Sequence, residues 1–168
     1  MARSYTMRGV QGAADRAVSL AHVYLRALDP LCRIHDVQSD PRFMHRGVDL
    51  LWEREGEQVV GVEVKGDRHG RRGNYFFELV SNLEKDTPGC FLYSVADVLL
   101  YVFLEKREVH ELPLRAVREW FLARAKNYSL KSTQTRTGTA MYTTVGAVVP
   151  VKDVHAAGLG VRKTRVTI

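Results

Sequence analysis

Residues 46–67 constrain this chain more than any other stretch. Two apolar-rich runs flank a polar turn centred near Gly56, which is the pattern of a β-hairpin. Pairing symmetric about Gly56 sets Asp49 directly opposite Glu63, with Cβ atoms ~5 Å apart. Glu63 and Lys65 are two residues apart and share one face of their strand. Two acids and a lysine therefore project together. Adjacent carboxylates suit a hard divalent cation such as Mg²⁺. A neighbouring ammonium holds an anion or poises a water. Together these groups serve metal-assisted cleavage of a phosphodiester. Register decides the matter, because a slip of one residue sends Asp49 to the opposite face. The alternative is an exposed edge hairpin with ordinary charges. Val59, Val60, Val62 and Val64 argue against it by predicting a buried strand. Such a strand seldom carries Glu and Lys two apart unless they are paired or functional.

Asp49, a turn, and then Glu63-Val64-Lys65 resemble the PD-(D/E)XK nuclease superfamily, the restriction-endonuclease-like fold. In that family an Asp ends or begins one strand and a (D/E)-x-K triplet lies on the next. The resemblance is close over residues 45–67 and extends to element order over 10–105. It departs at Val48, where the motif has Pro. It implies that Asp49 and Glu63 ligate Mg²⁺, with Mn²⁺ as a substitute. It also implies that the Val64 carbonyl completes the shell and that Lys65 positions the attacking water. The family often has an acid on the following strand, which adds Glu78 as a catalytic candidate.

The function implied is a metal-dependent DNA endonuclease. No recognition domain is visible, which favours reading of DNA structure over sequence, as in a Holliday-junction-resolvase-like or phage-type member. Archaeal-type resolvases often carry a Glu on the first helix, where the nearest acid here is Asp15. A restriction- or repair-type nuclease is the alternative. A non-catalytic nucleic-acid-binding subunit is the rival from another class. Symmetric cutting of two strands calls for two sites, hence a homodimer.

A chain of 168 residues predicts one domain over 1–168 with a real core. No apolar run approaches the ~20 residues that span a bilayer. The first residues lack the apolar core of a signal peptide. Two cysteines, Cys32 and Cys90, are too few for a disulfide framework or a structural zinc site. The expectation is a cytoplasmic protein with free thiols and no membrane partner. The net charge is +6, and the basic excess lies in the last third. There, from 121 onward, eight Lys or Arg face a single acid, Asp153. A positive field of this kind serves a polyanion binder or simply solubility.

Helical spacing predicts a helix over 9–28, ended by Asp29-Pro30. Residues 31–37 alternate as a strand. Residues 66–74, with three glycines and three arginines, predict a mobile basic loop. Its Arg68, Arg71 and Arg72 are placed to grip phosphates beside the scissile one. Residues 75–82 form the next strand. Glu78 sits there in an apolar run, where an acid needs a reason such as the site or a loop arginine. Residues 98–104 predict a buried strand, with Asp97 as a strand-end carboxylate. A helix follows over 114–126, with Trp120 in the core. Residues 127–140 are hydroxyl-rich and predict a long loop or mobile arm, whose Lys131 and Arg136 suit DNA phosphates. A strand over 142–151 closes the pattern. The histidines are scattered and His45 is a loop residue. The fold expected is α/β, a central mixed β-sheet of about five strands flanked by the two helices.

Overall fold

The protein is described by a computed structural model over residues 3–167. In chain order the elements are β1 (Arg3–Thr6), α1 (Met7–Leu28), β2 (Arg33–Asp36), α2 (Pro41–Met44), β3 (Leu50–Glu53) and β4 (Val60–Asp67). They continue as β5 (Asn74–Asn82), β6 (Thr87–Pro88), α3 (Cys90–Tyr93), β7 (Val98–Phe103), β8 (Glu108–Pro113) and α4 (Leu114–Leu122). The last are β9 (Leu130–Thr137), β10 (Ala140–Pro150), α5 (Val151–Ala156) and β11 (Arg162–Arg165).

Among the described residues the strands form two mixed sheets, not one. The first runs β11-β8-β7-β4-β3-β2, and the second runs β1-β9-β10-β5-β6. The architecture is α/β, as the sequence predicts, but the single central sheet is not what forms. The strand carrying Glu78 does not join the strand carrying Glu63. It pairs with β10 in the second sheet. β4 and β7 are parallel neighbours, so the chain between them must cross over. That crossover contains β5, β6 and α3, and it seeds the second sheet.

β4 is central because apolar residues cover it on both faces. On one face Val62 packs with Leu50, Leu100, Val102 and Val109 under α1, which contributes Ala17, Leu20, Ala21, Tyr24 and Leu25. The Thr6 side chain caps α1 by accepting from the Gly9 amide. The helix stops at Asp29, where the sequence places its end. On the other face Leu99, Tyr101, Phe103 and Leu112 meet Tyr75, Phe77, Ala147 and Val149 of the second sheet. α4 closes this layer through Leu114, Val117 and Phe121, and Trp120 packs at its margin. Phe77 stacks on Phe91 at 4.1 Å and meets Phe121 edge-on at 5.6 Å. Aromatic pairs of this kind add ~0.5–1.5 kcal/mol each beyond their buried area.

The strand predicted over 98–104 forms as β7, preceded by the short helix α3. Two other expectations change. The basic loop is short, because β4 continues to Asp67 and a 3₁₀ turn spans Gly70–Arg72. The arm predicted over 127–140 is mostly strand: β9 pairs with β10 from Leu130 to Thr137 around a turn at Gly138. Its alternate threonines, which read as loop chemistry, are β-branched and favour a pleated, half-exposed strand.

Candidate active site

The hairpin register is the one that symmetry about Gly56 predicts. Leu50 pairs with Val62, Leu51 with Gly61 and Trp52 with Val60. The ladder ends at Leu50–Val62, and the Asp49 amide donates to the Val62 carbonyl at 2.8 Å, which holds Asp49 against β4. β3 begins one residue later, leaving the next amide of β4 without a strand partner. The Asp49 carboxylate takes that role: Oδ2 accepts from the Val64 N–H at 2.8 Å. The Val64 amide thus orients the Asp49 carboxylate.

Glu63 is paired in register with Leu99, and Lys65 with Tyr101. Both side chains therefore enter the layer between the sheets, on the face away from α1. Glu63 is only 9% exposed. Lys65 Nζ meets Glu78 Oε2 at 2.7 Å, an ion pair that bridges the two sheets. Glu78, expected either as a further acid of the site or as the partner of a loop arginine, pairs with Lys65. A cavity of about 10 Å³ lies among Glu63, Lys65, Glu78 and Cys90, bounded by Phe77 and Leu99. That is about the space one water needs.

Cys90 is a neighbour that the sequence pattern does not reveal. It opens α3 and lines the same small cavity as Glu63. Gly89 makes this approach possible. A Cβ there would stand 2.2 Å from the Glu78 carbonyl oxygen, and the Gly89 amide donates to the Leu79 carbonyl at 2.8 Å. Gly89→Ala is expected to cost ~1–3 kcal/mol through this overlap. An unchanged midpoint in denaturant unfolding would contradict so tight a docking. Tyr93 lies one turn beyond Cys90 at the rim. Asp36, at the end of β2, adds its negative charge to that of Asp49.

Electrostatics sort these groups. Burial and the nearby Asp49 push the Glu63 carboxyl up to about 8. Burial also raises Asp49, although the Val64 amide works against it. Burial alone would lower Lys65, but Glu78, Cys90 and Glu63 outweigh it and hold the ammonium charged. Burial works to raise Glu78, and Lys65 outweighs it, so Glu78 stays below its ordinary range. Burial drives the Cys90 thiol well up. Tyr93 is pushed up to about 12 by burial and by Cys90 and the surrounding carboxylates. The site is one mutually repelling carboxylate pair beside one firmly charged lysine.

The other candidates lie elsewhere. Arg68 turns to the α1 side, where its guanidinium stacks over Tyr5 at 5.0 Å. Arg72 is exposed, and the Arg71 side chain lies outside the described residues. Lys131 and Arg136 are both exposed on β9. Five residues apart on a strand, they project to opposite faces and cannot follow one backbone together. Asp97 accepts from the Gly61 amide at 2.7 Å, a strand-end role. Asp15 is exposed on α1 and accepts from Gln11. His45 is exposed just after α2. At the C-terminal end, Arg162 pairs with Glu111 and Lys163 with Glu108, so that basic segment is partly neutralised.

Among the described residues no group of three or more His, Cys, Asp and Glu side chains stands ready to hold a metal. The carboxylate donors are the Asp49–Glu63 pair. No described helix is long and apolar enough to cross a membrane. Comparison with family models, curated proteins and solved structures gives no match.

Proposed function

We propose that Asp49, Glu63 and Lys65 form the centre of a metal-dependent phosphodiesterase acting on DNA, built on a restriction-endonuclease-like hairpin. One observation carries this reading: the Asp49 carboxylate accepts from the Val64 amide, between Glu63 and Lys65, and those two side chains share one face of β4. The donor chemistry fits a divalent cation. Two adjacent carboxylates repel each other in a half-dry site, and burial with that repulsion lets Glu63 retain its proton to about pH 8. A divalent ion relieves the repulsion. Mg²⁺ commonly takes one or two carboxylates and keeps several waters, so a two-acid site meets its needs. When bound, such an ion supplies Lewis-acid polarisation of the phosphate and a more acidic water.

The chain's own residues do the rest. Asp49 and Glu63 would hold the ion, with Asp49 oriented by the Val64 amide. Lys65 carries a permanent positive charge, so it serves as an electrostatic stabiliser of the scissile phosphate and a hydrogen-bond donor to the attacking water. Its raised proton affinity argues against a general-base role. Glu78 is a positioning residue, because it fixes the ammonium at 2.7 Å.

The test is cleavage of a panel of DNAs (four-way junction, flap, duplex and single strand) with Mg²⁺, together with calorimetry using Mn²⁺. Cleavage confined to branched DNA would favour the structure-selective form. A restriction- or repair-type enzyme would cut plain duplex. Absence of cleavage, with no Mn²⁺ heat lost on Glu63→Ala, would sink the metal-site reading. Paired cleavage of two strands further implies a two-fold dimer. Light scattering that finds a monomer with and without DNA would count against it.

A further inference from the structure

A second feature lies on the α1 side of the first sheet, opposite the carboxylate pair. A groove of about 490 Å³ opens between α1, the end of β4 and the β7–β8 turn. Arg16, Arg68 and Arg107 line it, with Leu20, Leu104 and Glu105 beside them. Its size is that of a small-ligand pocket, and its lining is unusually basic for one. Among the described residues none of the three guanidinium groups forms an ion pair. Arg68 is also held in place. It stacks over Tyr5, whose hydroxyl is itself 2.8 Å from His69 Nε2. Holding one arm of a site in advance lowers the entropy lost on binding.

Arg107 sits at the β7–β8 turn with φ +51°, a left-handed conformation in which glycine is at ease.

We infer that the Arg16–Arg68–Arg107 groove is a binding site for phosphate groups. Arginine forks match phosphate oxygens in pairs, and three forks lining one groove suit an extended polyphosphate or consecutive phosphates of a nucleic-acid strand. The inference does not depend on the metal site, because the two lie on opposite faces of the sheet.

The experiment uses the full chain without divalent cations. Binding of short labelled DNA is followed by anisotropy across a salt series, and binding of inorganic tripolyphosphate by calorimetry. The variants are Arg16→Ala with Arg107→Gly, and Arg115→Ala, an exposed arginine of α4 outside the groove, as a control. The double variant should lose tripolyphosphate binding, and Arg107→Gly should melt no lower than the parent because it relieves the left-handed strain. If a DNA strand is the natural source of the phosphates, the log–log salt slope for DNA should also fall, by about one unit for each phosphate no longer neutralised. If the source is a free polyphosphate or nucleotide, DNA binding stays as it was while tripolyphosphate binding is lost. Arg115→Ala should change neither. Parent-like binding of both probes by the double variant overturns the inference.

Discussion

Lys65→Met is expected to lower Mg²⁺-dependent cleavage by about 10²–10³-fold while leaving Mn²⁺ binding nearly unchanged, since removing one preorganised electrostatic donor typically costs that much. The reason is what Lys65 can do as placed. It is the cation that β4 brings to the site, and Glu78 keeps it charged. It supplies no metal ligand, so its loss should spare the metal. Its stem is partly exposed, with the side chain 30% accessible, so methionine fits without a cavity. Glu78→Gln should cost less, because the ammonium stays and only its aim is loosened. The double variant should be little worse than Lys65→Met alone, as expected when one residue acts through the other. Full activity in Lys65→Met would remove the electrostatic role. Equal and additive losses would mean that Glu78 acts on the substrate by itself.

The hairpin is legible in the sequence because register follows from local pattern. A polar turn centred on Gly56 and the flanking apolar runs leave one pairing that buries Leu50, Trp52 and Val62 together. α1 is legible for the same reason, with a single stripe and an Asp-Pro stop. The layer over the site is not. Glu78 stands out as an acid needing a partner, yet nothing local says that its strand belongs to another sheet. That depends on β10, some seventy residues later, pairing with β5. Cys90 reads only as a free thiol, because it reaches Glu63 through a helix of four residues. The one sequence signal is the glycine before it, and its meaning emerges only against the Glu78 carbonyl. The 127–140 segment misleads for a different reason. Polar threonines on half-exposed strands and in loops look alike until a partner strand is known.

Glu63→Gln should produce opposite changes in stability and activity. In metal-free protein the Glu63 carboxyl titrates near 8, against 4.5 for an unperturbed side chain, because it is buried beside Asp49. The folded state thus binds a proton that the unfolded chain releases. The stability this group contributes is complete below about pH 4.5 and is lost as pH rises through about 8. Wild-type protein in chelator should therefore weaken from about pH 5 to about pH 9, and Glu63→Gln should flatten that fall. Asp49 shifts the same way and leaves a residual slope, whereas Glu78 acts in the opposite sense and only at more acid pH. At ~1.4 kcal/mol per pK unit, even part of the shift makes the variant more stable by about 2 kcal/mol at about pH 9. For a chain of this size that is a Tm higher by roughly 4–8 °C. Adding Mg²⁺ should reverse the order. The wild type gains stability by binding the ion, whereas the variant gains little and cuts nothing. Parallel melting curves across the whole pH range, with no response to metal in either protein, would mean that Glu63 is an ordinary buried acid. The hairpin would then be a scaffold without a centre.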